Sequence, residues 1–338
     1  MIEVKVSKLL APYELIFESE NIDENTLASD EILCKTLVSA ISPGTEVAAY
    51  NGAPPLRPIK AYPRLVGYCN VSEIINVGSD KSEYKVGQRI LTFSSHRSHF
   101  IAKSKEVLAV IPDSVSSQSA STAYIYHLGY DAVLNANIKY GSPVVVIGLG
   151  VIGLGAVNAS KMAGAKVYAI TNHNAPKQAA LKIGVNEVFS RNDIPALKSI
   201  LGSRLADAVI TTSNSWSDWE VALDVAGMNG KICILGFPGR GAEDIPFNPL
   251  DSRYLYHKQL QLQAVGHAPE NNDSRQFLKF NEKDNLKFIL EEIDKKNIDP
   301  SLIISGEKHW SELNDVYKTL SSHKGSPLTF ILNWDNQA

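Results

Sequence analysis

Three glycines have the most informative spacing in the chain. Gly148, Gly150 and Gly153 form G-x-G-x-x-G directly after the β-branched run Val144-Val145-Val146-Ile147. Such a run reads as a strand buried on both faces. The residues that follow, Ala156, Val157, Ala159, Met162 and Ala163, suit a helix packed on a sheet. A second strand, Lys166 to Thr171, closes a βαβ unit. In that setting each glycine has a job. Gly148 permits the tight turn, Gly150 lets a diphosphate approach bare backbone, and Gly153 lets helix and strand pack closely. The helix start, with Val151 and Ile152 in its first turn, offers unbonded N–H groups and the positive dipole end to phosphates. A dinucleotide is the expected ligand; a structural glycine turn is the alternative.

The end of the second strand bears on which dinucleotide binds. NAD enzymes commonly place a carboxylate about twenty residues past the glycines, on the ribose 2′-hydroxyl. Here the stretch is Thr171-Asn172-His173-Asn174, followed by Lys177. Thr171 and Asn172 can hydrogen-bond a 2′-phosphate, His173 or Lys177 can add charge, and no carboxylate is present to repel it. NADP(H) is therefore expected over NAD(H), although the stretch has no arginine for bidentate contact. Thr211, Thr212 and Ser213 end a fourth predicted strand, and Gly236, Phe237 and Gly239 follow a fifth. Both positions are carboxyl ends of strands, where open α/β sheets bind ligands.

Two kinds of pattern must position these groups. Residues 1 to about 116 show short alternating runs: Ile2 to Val6, Glu14 to Phe17, Glu31 to Val38, Leu65 to Val77, Arg89 to Phe93 and Phe100 to Ala102. Turn clusters separate them, among them Ser42-Pro43-Gly44 and Asn51 to Pro55, which predicts a small barrel or sandwich. From Ser117 to Leu134 the period becomes helical. Strands and helices then alternate: a helix from Asn174 to Gly184, strand Glu187 to Phe189, a helix from Ile194, strand Asp207 to Thr212, helix Trp216 to Ala226, and strands Lys231 to Leu235 and Gln259 to Val265. That alternation predicts right-handed crossovers and a parallel sheet. A helical stretch, Arg275 to Lys296, and a last strand, Leu328 to Trp334, are too short to bury a core of their own. They are expected to return to the first domain, giving residues 1–120 plus 267–338 as one domain and 121–266 as the other.

Bulk properties narrow the class. A chain of 338 residues can build two substantial cores. Its net charge of −3 is interspersed, which points away from nucleic acid and membrane surfaces. No apolar run approaches the roughly 20 residues of a membrane span, and the alternating start Met1 to Val6 is unlike a signal peptide. The three cysteines, Cys34, Cys69 and Cys233, are far apart, which fits a reducing, cytoplasmic setting and buried thiols.

In this order of domains the chain resembles the medium-chain dehydrogenase/reductase superfamily, over nearly its whole length. The residues that carry the likeness are Ser42 to Glu46, Gly67-Tyr68-Cys69, Val86 to Ile90, Gly148 to Gly153, Leu235 to Gly239 and Trp310 to Tyr317. The Ser-Pro-Gly-Thr-Glu stretch is most similar to bacteriochlorophyllide dehydrogenases and threonine dehydrogenase-like proteins. The resemblance implies an α/β fold: a Rossmann doubly wound parallel sheet plus a β-rich GroES-like barrel. It also implies that Gly266 touches the nicotinamide half of the cofactor, and it implies a homo-oligomer, dimer or tetramer.

The departures from that family shape the chemistry. Zinc members carry a cysteine where Pro43 stands, a histidine-glutamate pair where Tyr68-Cys69 stand, and a cysteine or acid where Tyr124 stands. None of Pro43, Tyr68 and Tyr124 is an ordinary zinc ligand. The four-cysteine lobe is missing as well, so no zinc is expected. His96-Arg97-Ser98-His99 reads as surface or hydrogen-bonded histidines rather than a metal site. Tyr68 is then either a hydroxyl donor to a developing alkoxide or a pocket wall, and Tyr124 likewise. Thr45 matches a proton-relay hydroxyl or caps a turn. His127 has the right intrinsic pKa for proton transfer, but a helix-face histidine is more often structural. Glu46 is expected behind the site as an orienting group. The leading expectation is a zinc-independent NADP(H)-dependent oxidoreductase acting on an alcohol/ketone pair or an activated alkene. A non-catalytic dinucleotide-binding sensor or scaffold is the alternative.

Overall fold

Val144, Val145, Val146 and Ile147 are all fully buried, as a β-branched run covered on both faces requires. The computed structural model describes residues 1–57, 59–79, 82–238, 245, 247–270, 275, 278 and 280–335. The chain divides into two units, Met1–Tyr124 with Glu270–Ala338, and Ile125–Pro269.

The second unit is built on a parallel sheet. Among the described residues its strands are, in spatial order, Glu187–Phe189, Lys166–Ile170, Pro143–Ile147, Ala206–Thr211, Ala226–Ile234 and Gln261–Ala264. Counted along the chain this is 3-2-1-4-5-6, the Rossmann order, with its switch point between the first and fourth strands. Register aligns Ile170 with Ile147 on one side and with Phe189 on the other. The helix Val151–Met162 follows the first strand and packs under the helix Ala123–Ala136. Contact there is backbone to backbone: a Cβ added at Gly129 would lie 2.4 Å from the amide nitrogen of Ala156.

The first unit is β-rich. One sheet runs Ile304–His309, Thr329–Asn333, Glu31–Ala40, Cys69–Val77, Arg89–Thr92, Val107–Val110, with His99–Lys103 also paired to Glu31–Ala40. A smaller sheet holds Glu14–Ile22, Ile2–Ala11 and Arg64–Leu65. The late strand Thr329–Asn333 is antiparallel to Glu31–Ala40, which brings the end of the chain into this unit. Leu9, Ile41, Tyr50, Tyr317, Leu332 and Trp334 form one apolar core. The cysteines are buried and unpaired.

Several elements differ from the sequence reading. Pro43 does not end a turn; it opens the helix Pro43–Tyr50, a place where its missing N–H costs nothing. The run Leu65 to Val77 is broken at Gly67, which has φ of +88°. Ser117 to Leu134 is two helices, Ser117–Ser121 and Ala123–Ala136. The helix expected from Asn174 to Gly184 spans Asn174–Ile183, with His173 at its N-cap and Gly184 at its C-cap. The helix expected over Arg275 to Lys296 spans Glu282–Asp294, where the Asn281 side chain accepts from the Asp284 amide as a cap. The strands Val107–Val110 and Ile304–His309 and the helix Leu313–Ser321 are further elements that the sequence reading did not name, although the helix buries Leu313, Val316, Tyr317 and Leu320 at amphipathic spacing. Gly239 lies outside the described residues.

Candidate functional site

The glycine turn forms an open cradle. Gly148 has φ of +84°, a conformation that L side chains avoid, and a Cβ there would lie 2.8 Å from the Thr212 hydroxyl. A Cβ at Gly153 would lie 1.9 Å from the Gly148 carbonyl oxygen, so that position admits glycine alone. Gly150 is different. It is exposed, caps the helix Val151–Met162, and a Cβ on it would meet nothing within 4 Å. Bare backbone, free space and the unbonded amides of Val151, Ile152 and Gly153 come together at one helix start, the arrangement that a diphosphate requires. The residues present therefore fit a dinucleotide.

Neighbouring strand ends complete the cradle. Thr212 donates to the Gly148 carbonyl at 2.8 Å, and Ser213 lies against both Gly148 and Gly236. The Phe237 amide donates to Asn214 Oδ1 at 3.0 Å. Thr211 is a correction. Its side chain is fully buried with no hydrogen-bond partner among the described residues, and its carbonyl accepts from the Leu235 and Gly236 amides. Thr211 ties two strands together and has no exposed atom for a ligand. Gly266, with φ of +94°, donates its amide to the Asp131 carboxylate at 2.9 Å.

At the end of the second strand, Asn172, His173 and Lys177 are exposed, while Thr171 is nearly buried and accepts the His173 amide at 3.2 Å. The sequence reading found no arginine here, and the fold brings one. Arg191, just past the third strand, donates its backbone N–H to Asn172 Oδ1 at 2.9 Å.

In the first unit, Tyr68, Thr45 and Tyr124 come together. The Tyr68 hydroxyl donates to Ser42 Oγ and lies 3.4 Å from Thr45 Oγ1. The Tyr68 and Tyr124 rings meet edge to face at 5.8 Å, and Phe93 packs on Tyr124 at 4.7 Å. Burial, with the neighbouring Cys69 and Glu46, pushes the Tyr68 phenol well above its ordinary range, so it stays protonated.

Beneath these hydroxyls lies a buried polar network. The Glu46 carboxylate accepts the Ser42 amide at 2.7 Å, the Tyr317 hydroxyl at 2.6 Å and His96 Nε2–H at 2.8 Å. The other His96 nitrogen is hydrogen-bonded to Ser39 Oγ at 2.8 Å, and Ser39 Oγ accepts the Trp334 indole N–H at 2.9 Å. His96 is completely buried, and a Cβ on Gly67 would fall 2.6 Å from its ring. The missing side chain of Gly67 is what lets the histidine seat behind Tyr68. By accepting from three donors, the Glu46 carboxylate holds the Ser42 backbone in place. Sequence reasoning missed Ser42 and His96. Ser42 stood in what read as a turn, and His96 is 50 positions from its carboxylate.

His127 belongs to the second unit, is almost fully buried, and burial pulls its pKa down to about 4. A ring held neutral throughout the physiological range is a poor proton shuttle. Among the described residues no three histidine, cysteine or acidic side chains cluster as a metal site. Burial and the Glu46 charge push the Cys69 thiol well above its usual range, which disfavours the thiolate that a metal needs.

Residues 151–282 match the family model for a zinc-binding dehydrogenase. The sorbitol dehydrogenase of Bacillus subtilis (strain 168) is 24% identical over 253 residues, 65% of this chain and 71% of that protein. An L-threonine 3-dehydrogenase of Chelativorans sp. (strain BNC1) is 26% identical over 285 residues, 73% and 79% of the two chains. Among solved structures, a protein of E. coli CFT073 described as a short chain alcohol dehydrogenase, complexed with NADH, superposes with a TM-score of 0.80. It shares 16% identity over 98% of this chain and 99% of its own. A putative zinc-binding dehydrogenase of Sinorhizobium meliloti 1021, bound to NADP, gives 0.80 at 17% identity over 98% and 100%.

Proposed function

The chain belongs to the medium-chain dehydrogenase/reductase superfamily, and from that premise we propose a zinc-independent, NADP(H)-preferring oxidoreductase that interconverts an alcohol and a ketone. Its relatives include dehydrogenases named for sorbitol and threonine, both substrates with secondary alcohols. The observation that carries the proposal is the Tyr68–Ser42–Thr45 hydroxyl cluster over the buried Glu46–His96 pair. By the resemblance, Pro43, Tyr68 and Tyr124 stand where zinc members of the family place ligands, and none of the three fits that ion. No step is therefore assigned to a metal.

When bound, the nicotinamide supplies or accepts the hydride. The protein's part is proton handling and orientation. A phenol kept neutral by burial can donate to a substrate oxygen that is becoming an alkoxide. Its raised pKa brings it closer to that alkoxide, which favours sharing the proton in the transition state. Ser42 and Thr45 are both in reach of the Tyr68 oxygen and can replace or remove its proton. Glu46 fixes the Ser42 backbone, and His96 fixes Glu46. Thr171, Asn172, His173 and Lys177 support the 2′-phosphate preference, because none is a carboxylate.

Turnover of NADPH and NADH with a panel of ketones and secondary alcohols tests the reading. Activity with NADPH that survives a chelator is expected. Cofactor binding without turnover across the panel would favour a sensor, and a metal-restorable loss would overturn the zinc-free chemistry. Thr171→Asp is expected to move the preference toward NADH; unchanged relative affinities would remove the 2′-phosphate argument.

A further inference from the structure

We propose that Arg191 is the residue that receives the 2′-phosphate, held in a fork-ready pose by Asp218. The inference rests on the NADP(H) reading and names the group that enforces it. Its basis is the register of the parallel sheet. Ile170 pairs with Phe189, and the Thr171 amide donates to the Phe189 carbonyl at 3.0 Å. The residues just past these strand ends therefore run side by side, and Arg191 reaches Asn172 through its backbone at 2.9 Å. The guanidinium is clamped as well: Nε donates to Asp218 Oδ1 and Nη2 to Oδ2, both at 2.6 Å.

The burial of this pair is unequal. Asp218 is 1% exposed, whereas the Arg191 side chain is 33% exposed. Two of five N–H groups serve the carboxylate. The rest, both on Nη1 and one on Nη2, have no hydrogen-bond partner among the described residues. A planar fork anchored on one edge and open on the other matches a phosphate monoester in shape. Because Asp218 offsets its charge, Arg191 contributes geometry more than net field. Asn172 adds to the selection. Its carbonyl oxygen is taken by the Arg191 amide, which leaves its NH₂ to donate, suited to phosphate oxygens rather than to a ribose hydroxyl proton. The nearby acid, Asp193, is engaged by Ser190 at 2.6 Å, and its carboxyl also feels the Lys177 charge.

The test is direct binding by the full chain. Dissociation constants for NADP⁺ and NAD⁺ are measured by calorimetry, with 2′-AMP against 5′-AMP as fragment probes. Arg191→Gln is expected to weaken NADP⁺ and 2′-AMP by about 10- to 100-fold, with NAD⁺ and 5′-AMP little changed. Arg191→Lys, which keeps the charge but loses the fork, is expected to fall between, and it stands in should the glutamine variant not fold. An NADP⁺/NAD⁺ ratio the same as wild type in these variants overturns the assignment of Arg191. Wild-type protein binding NAD⁺ more tightly than NADP⁺ overturns the cofactor reading itself, whatever the variants do.

Discussion

The Tyr68 hydroxyl donates to Ser42 while its ring packs on Tyr124, and that hydroxyl contact is the sharpest residue-scale target. Ser42→Ala removes the acceptor but leaves the Ser42 amide on Glu46, so the fold is expected to stand. Turnover is expected to drop by about 10- to 100-fold, within the range of general acid–base contributions, with cofactor affinity unchanged. Tyr68→Phe is expected to fall at least as far; equal turnover in steady-state assays would remove that hydroxyl from the chemical step. His127 belongs to stability instead. Its pKa in the fold, about 4, lies below the ordinary 6.5, so the unfolded chain binds more protons between those values. Its contribution is present above about pH 6.5 and is lost as pH falls toward 4, by up to roughly 3 kcal/mol. His127→Gln should flatten that part of a urea-denaturation pH profile; an unchanged slope would deny the histidine that role. Asp131, whose pKa burial raises, acts in the opposite sense at the acid end, losing stability as pH rises past its ordinary range.

Among the elements, the turn into the helix Val151–Met162 makes two contrasting predictions. Gly150→Ala adds a methyl where nothing stands within 4 Å, so melting temperature is expected to hold while dinucleotide affinity falls by at least about tenfold. Gly153→Ala adds one 1.9 Å from a carbonyl oxygen, so folding itself is expected to suffer. Paired thermal melts and cofactor titrations separate these outcomes, and equal effects at both sites would undo the cradle reading. This element was legible in the sequence because a β-branched run and a glycine spacing are local signals. The helix Pro43–Tyr50 was not. Its Ser-Pro-Gly opening carries turn residues, and the packing of Val47, Ala49 and Tyr50 against Leu313, Val316 and Tyr317 decides for helix.

For the molecule as a whole, stability should respond to nucleotide and not to metal. NADPH at about 100 times its dissociation constant is expected to add about 2.7 kcal/mol to stability, seen as a raised melting temperature. A chelator is expected to leave the melt where it was, since a structural ion would contribute folding energy directly. A chelator-induced drop would refute the metal-free fold. At this scale the sequence by itself determined the alternation of strands and helices, the cradle and the want of a carboxylate after Ile170, all properties of neighbouring residues. Only the tertiary structure decided which distant side chains meet. Arg191 reaches Asn172 across 19 positions, His96 reaches Glu46 across 50, and Trp334 reaches Ser39 across 295. Sheet register and the return of the last strand set those meetings, and no local propensity encodes them, because each costs loop-closure entropy that only the assembled core repays.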